Sequence, residues 1–365
     1  MPEFIPGLKL SRLYYWEVVR PLLDQHYPGL QHAAALIGPG SEVLGFDSEM
    51  SMDHHWFPKV QIFLQEDHKD LSAQIHETLR WKLPPTFQEF PLNLEEIPDE
   101  PGIFLMEQKD VPPINHDIYP LTVQEFKSRH LSWDDDSSFT AADWLAIPSQ
   151  VLRSITRGEV HYDDVGELSK LRKDLEWYPQ DVWLYMLAAG WHRIGDLEHL
   201  MPRAGFVGDE LGSALIGSQL ARDIMSLCFL IEKQYAPYPK WFGSAFKQLE
   251  CAGRLSPILQ RALEAETWQP REKELSDAYQ VLARMHNKLG ISKPLPDEVS
   301  SFHDRPFKVI HGDRFGDAIL SEIRDQEVIR ISQYTISGGI DQVSDNTKFL
   351  SDPKIYTFMK QLYKD

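Results

Sequence analysis

The chain has little of what secreted, membrane-spanning and nucleic-acid-binding proteins usually need. It contains only 2 cysteines, so no disulfide framework can be read and a reducing compartment is favoured. Its 55 acidic residues exceed its 37 basic ones, and the resulting formal charge of −18 disfavours a large interface with phosphate backbones. Neither a signal-peptide pattern nor an apolar run of membrane-spanning length is visible. We therefore expect a cytoplasmic protein that binds neither membranes nor nucleic acid.

Motifs of several common enzyme classes are also missing. The 14 histidines are scattered without the spacing of a zinc site. The sequence has no Gly-x-Ser-x-Gly nucleophile turn and no Gly-Lys-Ser/Thr turn of the P-loop type. Cys228 lies in an apolar segment, which is more typical of a core residue than of a nucleophile. These absences disfavour zinc enzymes, serine hydrolases, P-loop proteins and cysteine enzymes.

Enough apolar residues are present for a large core. The hydrophobic fraction of 42% excludes a mainly disordered chain, and 365 residues suit two domains. The patterns predict an α+β fold, with an N-terminal α/β domain at residues 1–130 that contains a small mixed sheet. A larger, mostly helical domain should follow at residues 131–365. An acidic, turn-prone segment at residues 132–138 predicts the linker between them.

Apolar periodicity predicts the main elements of both domains. In the first domain, Pro21 should kink or end a helix over residues 9–24. The expected strands lie at 32–37 and 59–64, the second continuing from the segment that contains Asp53. In the second domain we expect helices over residues 181–194, 210–235 and 272–289, and a strand at 327–331.

The most informative segment is a glycine–serine turn after the first predicted strand. Gly38 and Gly40 allow positive φ and a close approach of a ligand to the backbone. The amides of such a turn, together with the hydroxyl of Ser41, suit the outer phosphates of a nucleotide. Side chains at 53 and 55 on a strand would point to one side and could share magnesium. An ordinary turn is the alternative, because a single Gly-x-Gly-Ser is common.

Matches to one family pattern extend along most of the chain. They lie at residues 35–47, 51–54, 143–146, 178–185, 208–213, 235–241 and 341–345. On these segments the chain resembles a nucleotidyltransferase-like family, domain of unknown function 4037, in the polymerase-β-type nucleotidyltransferase superfamily. The resemblance implies a catalytic α/β domain that faces a helical substrate domain. It also implies transfer of a nucleoside monophosphate from an NTP, with Mg²⁺ or Mn²⁺, to a small-molecule hydroxyl.

The resemblance also assigns roles to the turn and to the acids that follow it. Gly38, Gly40 and Ser41 would bind the triphosphate, and Asp53 would hold the metal. Where the family pattern continues Asp-His-Asp-Trp after residue 52, this chain has His55, and histidine is a poor magnesium ligand. The third acid is expected at position 119, which is a tyrosine.

Asp117 could replace the missing third acid only if the strand register differs, because a shift of one residue reverses the face. The predicted metal site is therefore Asp53, His55 and Asp117, and Asp53 and His55 are the candidate catalytic residues.

Two hypotheses about function follow. The chain is either a nucleotidyltransferase with a degenerate metal site or a non-catalytic relative that binds a ligand or a partner.

Further candidates lie in the helical part. Arg222 and Asp223 place polar groups in an apolar helix, and with Glu210 they could line the substrate cleft and hold the acceptor. Internally paired or snorkelled side chains are the alternative. Lys240 and Trp241 offer a cation and a stacking surface for the nucleotide, or else a structural tether. The acidic surface would suit a cationic acceptor.

A third enzyme class shares three residues with this segment. Asp53-His54-His55 spells the tripeptide of the DHH phosphoesterases, which hold manganese with Asp and His. The earlier Asp-x-Asp and His ligands of that class are not found in this sequence. A metal-dependent phosphoesterase is therefore only a remote alternative.

Overall fold

A computed structural model describes residues 2–53, 55–100, 102–133 and 138–363 of the chain. Helices predominate and the strands form small sheets, so the fold is of the mixed α+β type that the sequence predicts. By their internal contacts the residues divide into two compact units. The first lies within Met1–Ser137 and Val151–Glu176, and the second within Ser138–Gln150 and Trp177–Asp365.

Up to residue 176, short helices alternate with short strands. In chain order these elements are α1 (Gly7–Tyr14), α2 (Arg20–His26), β1 (His32–Leu36), β2 (Gln61–Leu64), α3 (Ser72–Lys82), β3 (Thr86–Phe87), β4 (Phe90–Pro91), β5 (Asn93–Glu96), β6 (Phe104–Glu107), β7 (Leu121–Thr122), α4 (Val123–Leu131), α5 (Ala141–Ala146), α6 (Ser149–Thr156), β8 (Glu159–Asp163) and α7 (Glu167–Asp174). A π-helical turn at Tyr15–Val19 and 3₁₀ turns at Glu49–Asp53 and Glu66–Leu71 complete this part.

After residue 176, helices dominate, as the sequence predicts. In chain order the elements are α8 (Gln180–Glu198), α9 (Leu200–Phe206), α10 (Glu210–Ile231), α11 (Pro239–Phe246), α12 (Ala252–Glu264), α13 (Trp268–Leu289), β9 (Ser300–Ser301), β10 (Lys308–Val309), α14 (Gly312–Leu320), α15 (Gln326–Tyr334), α16 (Ile340–Val343), α17 (Thr347–Ser351) and α18 (Pro353–Met359). A 3₁₀ turn at Lys360–Tyr363 ends the described chain.

The main sheet of the first unit has four strands in the order β7-β2-β1-β8. β1 pairs antiparallel with β2 and β8, whereas β2 and β7 are parallel, so the sheet is small and mixed as predicted. All residues of β1 are buried, which is typical of a strand covered on both faces. The pairing of β8 with β1 brings residues from beyond position 130 into this unit.

The first predicted helix does not end at Pro21. α1 and α2 are joined by the π-helical turn, which ends at Val19, two residues before this proline. Proline lacks an N–H group and crowds the carbonyl of the preceding turn, and a π turn is one way for a helix to accommodate such a break. Tyr14 and Tyr15 are therefore still buried in the core of the first unit, where Ile62 of β2 also lies.

The second unit contains a close crossing of two helices. α8, most of whose residues are buried, packs against α14 and α10. A Cβ atom at Gly195 of α8 would lie 2.7 Å from the backbone nitrogen of Asp313. A Cβ atom at Gly312 of α14 would lie 2.5 Å from the carbonyl oxygen of Trp191. Because no side chain fits at these distances, glycine is required at both positions.

α10 departs from the expectation that no apolar run approaches membrane-spanning length. Length and composition alone would allow this 22-residue helix to cross a membrane. However, 56% of its most apolar window is buried inside the protein. Asp223, within the same helix, pairs with Arg193 of α8. These contacts are those of a core helix.

Two segments differ from their predicted secondary structure. Residues 327–331, predicted as a strand, lie in α15, because Asp325 accepts hydrogen bonds from the first amides of that helix and caps it. Its buried residues, Val328 and Ile331, are three positions apart, which is a helical spacing. The strand predicted to continue from Asp53 begins only at Gln61.

Candidate functional site

The glycine turn begins directly after β1, in the first unit. Gly38 has a φ of 91° and Gly40 a φ of 156°, both in the region that favours glycine. The N–H of Gly38 donates to the carbonyl oxygen of Ser154 at 2.8 Å, which ties the turn to α6. A Cβ atom at Gly40 would lie 2.6 Å from Oε1 of Glu42. The turn therefore has a distinct backbone shape, and a carboxylate packs against it.

That carboxylate belongs to a buried ion pair that the sequence analysis did not single out. Glu42 is buried, and Nζ of Lys59 lies 2.5 Å from its Oε1. Lys59 also donates to the carbonyl oxygen of His55 at 2.9 Å. Lys59 is thus already paired with Glu42, and the carboxylate of Glu42 would oppose a phosphate bound beside Gly40.

The expected strand geometry at positions 53 and 55 is wrong. The backbone of Asp53 ends a 3₁₀ turn, and its side chain and all of His54 lie outside the described residues. His55 is exposed and has a φ of 53°, which is left-handed rather than extended. The two positions therefore do not have the strand alternation that would aim both side chains at one metal.

Asp117 lies within electrostatic range of His55. Although its side chain is exposed, desolvation by the surrounding protein raises the pKa of its carboxyl group, and the charges of Lys59 and His55 oppose that rise. The ring of Tyr119 is exposed and stacks on His76 at 4.2 Å between centroids. Both residues precede β7 and belong to no strand.

The described donors around the turn do not fit a two-magnesium centre. Asp117 offers a carboxylate and His55 an imidazole, whereas magnesium prefers a nearly complete set of oxygen ligands. Throughout the described residues, no group of three His, Cys, Asp or Glu side chains could hold a metal ion. The Asp53 side chain lies outside the described residues.

The second unit contains a cavity of about 850 Å³. Every residue that lines it belongs to this unit, and the main contributors are α8, α10 and the segments at 234–242 and 341–345. One wall is aromatic. Tyr235 lies 4.8 Å from Trp177 and 5.0 Å from Tyr178 between ring centroids, and Trp177 and Tyr178 are themselves 5.0 Å apart.

Charged side chains make another part of the cavity lining polar. Arg193 Nε donates to Asp223 Oδ1 at 2.9 Å, and Arg222 donates to Asp345 Oδ2 at 2.8 Å. Asp341 accepts the backbone N–H of Ser149 at 2.7 Å. Burial raises the pKa of Asp341 to about 6, and hydrogen bonds from Ser149 oppose the rise. Burial also raises the pKa of Asp223, against the attraction of Arg193.

Three buried polar atoms of the lining residues have no hydrogen-bond partner among the described residues. They are Asp223 Oδ2, Trp177 Nε1 and the hydroxyl of Tyr178. Buried polar groups are normally paired, so a cluster of exceptions around one cavity calls for an explanation. A bound molecule would supply the missing partners.

The residues predicted to line the substrate cleft or to bind the nucleotide in the helical part divide into two groups. Arg222 and Asp223 both line the cavity of the second unit. Glu210, Lys240 and Trp241 are not among its described lining residues. Glu210 lies at the start of α10, with its Oε2 3.5 Å from Arg271, and Nζ of Lys240 lies 5.0 Å from the centre of the Trp241 ring.

Sequence reasoning did not name most of the lining as a site. No motif marks Trp177, although it directly precedes one of the matched segments. Tyr178, Tyr235, Asp341 and Asp345 stood in segments that carry the family resemblance, but they received no role. Their position in those segments was the available signal.

Comparisons with known proteins support the resemblance over part of the chain. Residues 144–242 match the family described as "Domain of unknown function (DUF4037)", which confirms the resemblance over that segment. No protein with a curated description matches the chain. A solved structure described as a nucleotidyltransferase-like protein from Exiguobacterium sibiricum 255-15 is 11% identical, covers 78% of this chain and 77% of its own, and has a TM-score of 0.33. So low a score carries no argument about fold or function.

Proposed function

We propose that this chain binds a small organic molecule in the cavity of its second unit. The observation that carries the proposal is the combination, in one cavity of about 850 Å³, of an aromatic wall with buried polar atoms that lack partners. Ligand sites typically span roughly 300–1,000 Å³ and combine apolar walls with a few polar groups that orient the ligand. This function corresponds to the non-catalytic hypothesis of the sequence analysis.

The energetics of the unpaired atoms favour a bound partner. A buried polar group without a hydrogen bond costs about 1–3 kcal/mol. Trp177 Nε1 can only donate, Asp223 Oδ2 in its ionised form can only accept, and the Tyr178 hydroxyl can do either. A ligand with both a donor and an acceptor would therefore recover part of that cost on binding, in addition to burying its apolar surface against the aromatic wall.

The location of the cavity supports the same proposal. Most of its lining, including Trp177, Tyr178, Arg193, Asp223 and Tyr235, falls within residues 144–242 that match the family. The family description names no function, so the match supports the location of the site but says nothing about which ligand it binds. The segment that makes this chain similar to its relatives is thus the segment that forms most of the cavity.

The proposal is tested by ligand-observed NMR with a fragment library that contains equal numbers of cationic, neutral and anionic members. Ser226 lines the cavity, and Ser226→Phe would fill part of it. Ser169→Phe, at an exposed position of α7 outside the cavity, is the matched control. We expect fragments that bind the wild type and the control but lose binding to Ser226→Phe. If Ser226→Phe loses no fragment while the circular dichroism melts of all three proteins agree, the cavity is not a binding site.

A second candidate function is the nucleotide transfer that the resemblance implies. The observation that favours it is the glycine turn, whose positive φ values at Gly38 and Gly40 suit close contact with phosphates. The carboxylate of Glu42 and the imidazole at position 55 argue against it. We therefore place transfer to a small-molecule hydroxyl second, with Mg²⁺ or Mn²⁺ as the metal it would require.

Calorimetry with ATP, CTP, GTP and UTP separates the two functions. Transfer predicts nucleotide binding that strengthens when magnesium or manganese is added, because the metal neutralises the triphosphate. Binding that is absent, or indifferent to metal, leaves the small-molecule cavity as the function of this chain.

A further inference from the structure

We infer that the ligand of the second-unit cavity is an organic cation with an aromatic or apolar body, its charged group facing Asp223 and its body against the Trp177–Tyr178–Tyr235 wall. This inference rests on the proposed function and specifies the chemistry of the molecule. It follows from three independent features of the cavity, which are its charge balance, the unpaired oxygen of Asp223 and its aromatic wall.

The charge balance of the lining leaves one carboxylate in excess. The charged lining residues comprise the arginines Arg193 and Arg222 and the aspartates Asp223, Asp341 and Asp345. Each arginine pairs with one aspartate, Arg193 with Asp223 and Arg222 with Asp345. An anionic ligand would have to break one of these pairs to find a cation. The remaining carboxylate is Asp341, so the lining as a whole is negative, and electrostatic complementarity favours a cationic ligand in this cavity.

The unpaired oxygen gives the cation a specific position. Oδ1 of Asp223 accepts from Arg193, whereas its Oδ2 is buried and has no hydrogen-bond partner among the described residues. Asp223 as a whole is 9% exposed, so bulk water satisfies little of this oxygen. Ionised oxygens form their strongest hydrogen bonds with charged donors, and an ammonium or guanidinium group supplies both the donor and the charge.

The aromatic wall suits the same molecule. Trp177, Tyr178 and Tyr235 present rings whose centroids lie within 5.0 Å of one another. Indole and phenol faces attract cations, and the attraction grows when the pair is shielded from water. The rings also bury the apolar body of the ligand. A cavity lined by both carboxylates and aromatic rings is therefore complementary to an amine carried on an aromatic body.

The inference is tested with tryptamine, tryptophol and indole-3-acetate, which share the indole ring and carry a positive, neutral and negative side chain. These three compounds belong to the charge-balanced library, and the charge class of every fragment that Ser226→Phe loses is the readout. We expect cationic members to dominate this set. We also expect tryptamine to bind at least about tenfold more tightly than tryptophol, which corresponds to a single charge-assisted hydrogen bond.

Two variants locate the charge that matters. Asp223→Asn should weaken tryptamine binding about tenfold and leave tryptophol binding nearly unchanged. Asp345→Asn, at a more exposed carboxylate, should weaken tryptamine only about twofold. If Asp223→Asn is too unstable to titrate, the order of the three compounds on the wild type still tests the inference, because that order needs no variant.

The outcomes separate this inference from the proposed function. If the fragments lost by Ser226→Phe are mainly neutral or anionic, the cavity binds small molecules but the cationic assignment is overturned. If Ser226→Phe loses no fragment of any charge, the proposed function is overturned and the inference falls with it. Only a set dominated by cations, with tryptamine bound more tightly than tryptophol and, where Asp223→Asn can be titrated, weakened more by Asp223→Asn than by Asp345→Asn, supports both.

Discussion

Nε of Arg193 lies 2.9 Å from Oδ1 of Asp223, and this ion pair joins α8 to α10 at the wall of the second-unit cavity. Arg193 also donates to the carbonyl oxygen of Gln342 at 2.7 Å, so its position is fixed from two sides. The other oxygen of Asp223 has no hydrogen-bond partner among the described residues. Oδ1 of Asp223 thus holds the ion pair between the two helices, whereas Oδ2 is available to a ligand.

The Arg193–Asp223 pair should matter more for stability than its neighbour. Arg193→Met would leave Asp223 buried without its cation, and we expect a loss of about 2–4 kcal/mol in the free energy of unfolding. Arg222→Met is the matched control, because the Arg222–Asp345 pair is 48% and 71% exposed and should contribute less than about 1 kcal/mol. Urea unfolding measures both. Equal losses would contradict the assignment of a buried pair.

The crossing of α8 and α14 should not tolerate even a methyl group. In Gly195→Ala the new Cβ would lie 2.7 Å from Asp313 N, so the helices must separate, and we expect a loss of about 1–3 kcal/mol. Gly253→Ala in α12 is the control, because no atom lies within 4 Å of its added Cβ. That substitution should be neutral or stabilise the protein by up to about 1 kcal/mol. A Gly195→Ala protein as stable as the wild type would refute the close crossing.

Glu198 should make the stability of the second unit depend on pH. It is buried at the end of α8 and accepts the N–H groups of Ile310 at 2.5 Å and Gly312 at 3.1 Å. Burial raises its pKa from 4.5 to about 7, with those hydrogen bonds opposing the rise and Asp313 adding to it. The folded protein therefore holds this proton more tightly than the unfolded chain. Its contribution to the free energy of unfolding is largest below pH 4.5 and falls as pH rises to about 7.

Glu198→Gln removes this titration while it keeps the shape of the side chain. The difference in the free energy of unfolding, wild type minus variant, should fall by up to roughly 3 kcal/mol between about pH 4.5 and 7 and then level off. Chemical denaturation at several pH values gives this difference. A difference that stays constant over the range would show that Glu198 titrates normally.

A substitution at position 55 tests whether a carboxylate there would allow metal binding near the glycine turn. His55→Asp would supply the carboxylate of the family pattern, and aspartate tolerates the left-handed backbone found there. The second candidate function, nucleotide transfer at the glycine turn, predicts that calorimetry detects tighter magnesium-dependent ATP binding in this variant than in the wild type. His55→Asn, which suits the same backbone but adds no charge, is the control. A gain that appears equally in both variants would exclude a metal ligand at this position.

The elements with strong periodicity were predictable from the sequence. The apolar spacing of residues 181–194 and 210–235 predicts α8 and α10, and Gly290 ends α13 in the left-handed conformation expected of a helix cap. The segment at 327–331 was predicted wrongly, because its β-branched residues favour a strand while the cap at Asp325 and tertiary packing favour a helix. Local propensity alone does not decide such a case.

The candidate site was only partly predictable, for a similar reason. Arg222 and Asp223 stood out because charged residues in an apolar helix are unusual. Trp177 and Tyr178 are ordinary aromatic residues in sequence, and only the packing that brings them to Tyr235 makes a wall of them. A turn and a 3₁₀ segment separate Glu42 from Lys59 in the sequence, so no periodic pattern predicts that these two residues pair.

The most direct test of the account is a crystal structure of the protein with a cationic fragment that Ser226→Phe fails to bind. The account predicts density for the fragment inside the second-unit cavity, its charged nitrogen within hydrogen-bond distance of Asp223 Oδ2 and its ring against the aromatic wall. Density for the fragment at the glycine turn, or at any surface outside the cavity, would contradict it.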